Sequence, residues 1–278
     1  MRNPLLCLVL AVTAGCTTAP PSTPARTAQA CVLDAQPEII PVPDPIDGEL
    51  NEAFILPDDP EWWAPAPMDD ERERYRAALL ARLGGDQQLQ PQALLQRSRD
   101  FHASLKGDRA REAENSSAVL DGKAGALSPI SCLEWRLFQR QARRFPMLER
   151  PTEFGVYVLR GHGQIHVYLS GADRVGGKLR AEVRDRVVAD VGRGFAPVAH
   201  GHNHNFMFDR KPGDRMWTTE ESVNDVGGTV APSLTDVQAW RMMREHFGLQ
   251  GAWVTNGLDT AHYTADDFDR LSAWPPTK

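Results

Sequence analysis

A β-hairpin in the middle of the chain is the strongest constraint on its fold. Apolar and polar residues alternate through residues 153–159 and again through residues 164–169, and Gly161-His162-Gly163 lies between the two runs. Alternation with a period of two is typical of strands, and a short glycine-containing segment between two such runs favours a tight turn. We therefore predict an antiparallel hairpin here.

The segments after the hairpin predict a domain of mixed composition. We expect strands at residues 183–191 and 195–202, a helix at residues 233–247, and further strands at residues 252–255 and around His262. Strands followed by a helix and then by more strands indicate a mixed α/β or α+β domain. We assign residues 146–278 to this domain.

The segment before this domain is predicted to be helical. Residues 68–85 begin with acidic side chains, place leucines on one face and end at a pair of glycines. This is the residue pattern that usually begins and ends a helix. Helical patterns also occupy residues 93–105 and 133–144. These helices carry no group of residues that suggests chemistry, so we assign residues 46–145 to a helical segment.

The N-terminus has the pattern of a secretory signal. The apolar run at residues 5–12 follows a basic residue and is too short to span a bilayer core of about 30 Å. The Ala-Gly-Cys sequence that ends at Cys16 resembles the bacterial lipobox, which implies a signal peptide over residues 1–15 and lipidation of Cys16. An ordinary signal, cleaved after Ala28 or Ala30, is the alternative. Either reading takes the mature protein out of the cytoplasm.

The compartment of the mature protein determines whether the two cysteines after Cys16 can form a disulfide. A lipid anchor would hold the protein on a membrane facing the periplasm, the outer membrane in a Gram-negative organism. Residues 16–45 are rich in Pro, Thr and Ala and predict a disordered tether. Cys31 and Cys132 can pair in an oxidising envelope, closing a loop of about 100 residues. Two free buried thiols are the alternative.

Three histidines at alternate positions mark the candidate site. His200, His202 and His204 end a predicted strand. Residues at i, i+2 and i+4 share one face of a strand, so two or three of these imidazoles would converge. Imidazoles at this density suit Zn²⁺, although Mn²⁺, Fe²⁺ and Ni²⁺ accept the same ligand type. The alternative is a solvated strand end that binds no metal.

A Ser-x-x-Asp pair opens the helix that follows. Ser233 and Asp236 come after Pro232 in a pattern typical of a helix cap, and such a cap can also direct a hydroxyl and a carboxylate toward one metal site. The 28 residues between His204 and Ser233 are either a loop over the site or a surface insertion.

Together these motifs resemble a known family. His-x-His, then Ser-x-x-Asp, with a Glu opening a strand upstream, looks like the JAMM motif of the JAB/MPN zinc metallopeptidases, over residues 153–264. The resemblance implies an α/β fold, a JAB-like mixed curved sheet with flanking helices. It also implies one zinc ion and the following roles: His202, His204 and Asp236 as ligands, Glu153 as general acid/base and Ser233 as the residue that stabilises the oxyanion.

The sequence departs from the family pattern in three places. Asn205 follows the second histidine where the family often has Pro, and the gap before Ser233 is longer than usual. His200 and His202 also form a His-x-His pair, so this pair is an alternative to His202 and His204 as the ligands. In that case His204 would contact a ligand without binding the metal itself.

The resemblance implies hydrolysis of peptide or isopeptide bonds by metal-activated water, with an envelope peptide or protein as substrate. A non-catalytic JAB-like binding lipoprotein is one alternative. A calcineurin-like metallophosphoesterase is another, because Gly201-His202-Asn203-His204 matches one of its signatures, although the Asp-x-His at residues 100–102 lies in a helical pattern. The net charge of −6 offers no basic surface for nucleic acid, so no nucleic-acid partner is expected.

Overall fold

One mixed sheet of eight strands organises the part of the chain that the structure describes. The computed structural model describes residues 31–173, 180–207 and 227–274. The predicted signal peptide and Cys16 lie outside these ranges. No helix within them is long and apolar enough to cross a membrane.

The strand order confirms the prediction of a mixed α/β fold. The sheet runs β1-β2-β5-β4-β6-β7-β8-β3, and among these pairs β6 and β7 are parallel while the others are antiparallel. The strands are β1 (Glu38–Ile39), β2 (Leu50–Pro57), β3 (Ala126–Pro129), β4 (Phe154–Gly161), β5 (Gln164–Gly171), β6 (Ala196–Asn203), β7 (Gly251–Thr255) and β8 (Asp259–Thr264).

Helices flank this sheet. Two 3₁₀ turns, at Pro60–Trp63 and Gly107–Arg111, accompany them. The helices are α1 (Asp70–Leu83), α2 (Asp86–Leu89), α3 (Pro91–Ala103), α4 (Glu112–Leu120), α5 (Cys132–Arg144), α6 (Ala181–Gly192), α7 (Leu234–Phe247) and α8 (Asp267–Arg270).

Helix α1 shows how local sequence sets the ends of these helices. The Asp69 carboxylate accepts a hydrogen bond from the backbone N–H of Arg72 at 2.9 Å, which satisfies a donor of the first turn. Gly84 ends the helix with a φ of 85°, a left-handed conformation that glycine adopts without a steric penalty. The predicted helix is confirmed to within two residues at each end.

Strand β4 is covered on both faces. Val156 and Val158 pack into the core that contains α5, whereas Tyr157 and Leu159 pack against α6. Successive side chains of a strand point to opposite faces, so a strand covered on both sides is apolar at consecutive positions. Strand β4 also pairs with β5 through the predicted turn, which confirms the hairpin.

The helical segment predicted over residues 46–145 also supplies two strands. Strand β2 pairs with β5, and β3 pairs with β8 near the opposite end of the sheet. Phe54 and Leu56 of β2 are buried in the core beneath α5. This segment and the C-terminal segment therefore share one sheet.

The predicted strand at residues 183–191 is wrong, because these residues form α6. Val183 and Val187, four residues apart, are both buried against the sheet. That spacing places them on one face of a helix, whereas the residues between them are polar and mostly exposed.

The predicted tether does not extend to residue 45. Cys31 forms a disulfide with Cys132 at the start of α5. Strand β1 pairs with β2, and Ile40 is buried. A covalent bond, backbone pairing and apolar burial thus hold the part of this segment that the structure describes. Residues 16–30 lie outside the described ranges.

Candidate metal centre

The C-terminal end of β6 carries the histidines of the site. Gly155 of β4 lies opposite His202 on one side of β6, and Val254 of β7 lies opposite it on the other. His202 is buried, and His204 follows directly after the strand with its backbone N–H bonded to the carbonyl of Thr255 at 2.8 Å. Strand pairing on both sides thus fixes the backbone that presents the two imidazoles.

The N-terminus of α7 supplies a carboxylate. Asp236 and Ser233 form the predicted capping box: Ser233 Oγ accepts from the Asp236 N–H at 3.2 Å, and Asp236 Oδ2 accepts from the Ser233 N–H at 2.8 Å. The Ser233 hydroxyl also donates to Asp236 Oδ2 at 2.7 Å. These bonds fix the rotamer of Asp236 and direct one oxygen toward β6.

The two imidazoles and this carboxylate converge on one point. His202 Nε2 lies 3.1 Å from His204 Nε2 and 3.3 Å from Asp236 Oδ2, and His204 Nε2 lies 3.6 Å from the same oxygen. Tetrahedral zinc with bonds of about 2.0–2.1 Å keeps its ligand atoms about 3.3 Å apart. Two nitrogens and one carboxylate oxygen at these separations therefore fit a zinc ion. Within the described ranges, no other cluster of three such residues meets this requirement.

A backbone carbonyl fixes the orientation of His204. Its Nδ1 donates to the Thr229 oxygen at 3.0 Å, which leaves Nε2 facing the convergence point. A histidine that donates one ring N–H to a carbonyl has a defined tautomer and a more basic second nitrogen. This is the usual arrangement of a metal-binding histidine.

Charge pairing dominates the electrostatics of the group. Burial acts to raise the pKa of Asp236, but the charge of His202 and hydrogen bonds with both imidazoles lower it well below its usual range. Burial acts to lower the pKa of His204, but the hydrogen bond and charge of Asp236, with the charge of Glu153, raise it to about 9. A buried carboxylate requires a positive partner, and a divalent cation can take the place of the imidazolium proton.

Glu153 lies beside this group. It immediately precedes β4, where the backbone N–H of Phe154 bonds to Asn203 Oδ1 at 2.9 Å. It is two residues before Gly155, which is opposite His202. Its charge contributes to the raised pKa of His204. The structure thus brings Glu153 within electrostatic range of His204, one of the three candidate ligands.

His200 does not belong to the convergent group. Its Nδ1 accepts a hydrogen bond from Trp240 Nε1 at 3.2 Å, and its ring packs edge-on against Tyr157. Burial lowers the pKa of His200 to about 3, which keeps the ring neutral. His202 and His204 therefore meet Asp236, while His200 is bonded to Trp240 of α7.

One residue near the centre had no signal in the sequence. Glu112, the first residue of α4, accepts from the Leu234 N–H at 2.9 Å. Burial raises its pKa to about 7; the Leu234 N–H opposes this shift and the charge of Asp236 adds to it. An acidic residue in the first turn of a helix is common, so sequence alone could not distinguish Glu112 from an exposed one.

The Asp-x-His of the phosphoesterase alternative supplies no second ligand pair. Asp100 is exposed and bonded to Gln96 and Arg99. His102 Nδ1 lies 2.9 Å from the Ser98 carbonyl, and burial together with the charge of His204 lowers its pKa. Of the predicted loop or insertion between His204 and Ser233, residues 208–226 lie outside the described residues.

Comparisons of the chain with family models, curated proteins and solved structures found no match. The structure itself shows a mixed α/β fold with a His-His-Asp group that could hold a metal ion.

Proposed function

We propose that this protein is a zinc-dependent hydrolase of amide bonds in peptides or proteins, related in mechanism to the JAB/MPN metallopeptidases. The observation that carries the proposal is the approach of His202 Nε2, His204 Nε2 and Asp236 Oδ2 to within 3.1–3.6 Å of one another. When bound, zinc supplies a Lewis acid that polarises the amide carbonyl and activates a water molecule for attack.

Glu153 is the general base of this proposal. A carboxylate beside the metal group can accept a proton from the attacking water and return it to the leaving amine. The electrostatic effect of Glu153 on His204 supports this assignment. A protein that only bound its partner through this fold would have no need for a carboxylate at this position.

Ser233 has two roles in the proposal. Its single hydroxyl proton is donated to Asp236 Oδ2, so in this structure Ser233 orients a ligand. Stabilising the oxyanion of a tetrahedral intermediate requires that the hydroxyl rotate away from Asp236 toward the substrate. The backbone N–H of Ser233 still holds Asp236 during such a rotation.

We also propose that the enzyme acts in the cell envelope, anchored to a membrane through a lipid on Cys16. The Cys31–Cys132 disulfide supports this location, because disulfides persist in oxidising compartments. The substrate class is therefore a peptide or protein of the envelope.

The first test is metal content. We would measure zinc by elemental mass spectrometry on the chain from residue 31 onward and on a His202→Ala/His204→Ala double variant. We expect close to one zinc per native chain and loss of zinc in the variant. Two metals per chain would favour the phosphoesterase alternative, and no metal under zinc-replete conditions would overturn the proposal.

The second test is catalysis. We would screen the zinc-loaded protein against a peptide library and compare it with Glu153→Gln. The variant should keep its zinc and lose at least about 100-fold in kcat, the usual contribution of a general base. Glu149→Gln, an exposed carboxylate near the same strand, is the matched control and should remain active. Zinc binding without any hydrolysis would favour the non-catalytic lipoprotein.

A further inference from the structure

The turn before α7 is fixed by residues from several parts of the chain. The Thr229 carbonyl accepts from His204, and the Val230 carbonyl accepts from the Tyr263 hydroxyl at 2.7 Å. This turn leads directly into Ser233 and the carboxylate of Asp236. Any movement of the turn would therefore change the distance between Asp236 and the two histidines.

Helix α4 holds the last part of this turn. Glu112 Oε2 accepts from the Leu234 N–H at 2.9 Å, and one helical turn later Asn115 Nδ2 donates to the Pro232 carbonyl at 3.1 Å. Asn115 is fully buried and also pairs with the backbone of Ser272 through both of its amide atoms, at 2.7 and 3.0 Å. Two side chains of α4 therefore bind the backbone on either side of Ser233.

These contacts give hydrogen-bond partners to backbone N–H groups at the start of α7. The first backbone N–H groups of a helix have no partner within the helix. Ser233 Oγ accepts from the N–H of Asp236, and Glu112 accepts from the N–H of Leu234. The two acceptors together hold the first turn of α7, which carries the candidate ligand.

We propose that Glu112 and Asn115 are positioning residues of the metal centre, which hold the first turn of α7 so that Asp236 meets His202 and His204. This inference rests on the metal site of the proposed function. It gives the helical segment before the hairpin a role in that function, because α4 supports a ligand from outside the metal group. Removing such support typically lowers metal affinity by about 10–100-fold.

Zinc affinity measured without substrate tests this inference. We would titrate metal-free protein with zinc in competition with a chromophoric chelator, and record thermal unfolding of the same metal-free samples. Glu112→Ala should weaken zinc binding at least about 10-fold. Glu112→Gln should remain within about threefold of the native affinity, because its amide oxygen can still accept from the Leu234 N–H. Asn115→Ala should also weaken zinc binding.

Val119→Ala is the matched structural control. Val119 is a buried residue of α4 one turn beyond Asn115, and it packs into the core formed with α7 and β7. This variant should lower the unfolding temperature of the metal-free protein while leaving zinc affinity within about threefold of native, since it removes packing and no hydrogen bond.

Three results would overturn the inference: native zinc affinity in Glu112→Ala, equal losses in Glu112→Gln and Glu112→Ala, or an equal loss in Val119→Ala. A native protein that binds zinc but hydrolyses no peptide would overturn the proposed enzyme activity and leave this inference to be judged by the affinities. A native protein that binds no zinc would overturn both.

Discussion

Gly201 lies opposite Trp253 in the parallel pairing of β6 and β7, and the indole occupies the space where a side chain at position 201 would be. A Cβ atom built on Gly201 would lie 1.9 Å from Trp253 Cε2. Gly201 separates His200 from His202 along β6, so the indole packs against the face of the strand that is opposite to the imidazoles. The glycine of the His-Gly-His sequence thus allows β6 to lie flat on the core while it presents its histidines on the other face.

Gly201→Ala should therefore destabilise the protein. The added methyl group forces Trp253 or the backbone of β6 to move, and overpacking of this kind typically costs about 1–3 kcal/mol. Urea unfolding of the metal-free protein would measure the loss. Gly192→Ala is the matched control, because a Cβ at that position meets no atom within 4 Å, and it should leave stability unchanged or raise it. Equal stabilities of the two variants would contradict this account of Gly201.

His200→Gln should keep its zinc. His200 bonds to Trp240 and lies outside the convergent group, so its removal leaves both imidazoles and Asp236 in place. We expect the zinc content of the native protein within experimental error and a modest loss of stability of about 1–2 kcal/mol from altered packing. Elemental mass spectrometry beside His202→Ala would distinguish the two positions. Loss of zinc in His200→Gln would show that the ligands are His200 and His202.

The disulfide should contribute strongly to stability. Cys31 and Cys132 are 101 residues apart, and closing a loop of that size restricts the unfolded chain by about 4–5 kcal/mol in the chain-entropy model. A Cys31→Ser/Cys132→Ser variant should unfold at lower urea concentration than the oxidised native protein. Dithiothreitol added to metal-free samples should lower the midpoint of the native protein and leave that of the variant unchanged. A native midpoint that did not respond to reduction would exclude a stabilising bridge.

A buried carboxylate far from the metal centre should make stability depend on acid pH. Asp190 is fully buried and accepts from His166 Nδ1 and the Tyr168 hydroxyl, each at 2.6 Å, and from Arg193. Burial acts to raise the pKa of Asp190, but these hydrogen bonds outweigh it and lower the pKa. Its contribution to stability is therefore present above its unfolded pKa of about 3.9 and is lost as the pH falls through the lower folded value.

Asp190→Asn tests that dependence. The asparagine amide carries no charge, and its NH2 group would face side chains that are themselves hydrogen-bond donors. We therefore expect the free energy of unfolding to fall by about 3 kcal/mol at pH 7. The difference in stability between the variant and the native protein should shrink as the pH falls below about 4, because Asp190 of the native protein then takes up a proton when the chain unfolds. Urea unfolding across this range would measure it. Asp185→Asn, an exposed residue of the same helix, should show no such trend.

The fold was predictable where local pattern and burial agree. The hairpin of β4 and β5 is local, and α1 and α7 have their own caps, so each could be recognised from a short window. Strand β2 cannot be recognised from a short window, because its pairing partner β5 lies more than 100 residues away and its register depends on that contact. Helix α6 differs from the predicted strand because valine favours strands, whereas the spacing of Val183 and Val187, with charged residues between them, is helical.

Short stretches of the sequence are enough to predict which chemical groups can meet at the candidate site. Alternation along one strand put His202 and His204 on one face, and the capping pattern of Ser233 placed Asp236 in the first turn of a helix. Those relationships are set by backbone geometry over a few residues. Long-range packing sets the remaining features: α7 begins beside β6, His200 bonds to Trp240 instead of joining the group, and Glu112 bonds to the backbone of Leu234. Such contacts join positions far apart in the chain, and they form only when the sheet and its helices pack together.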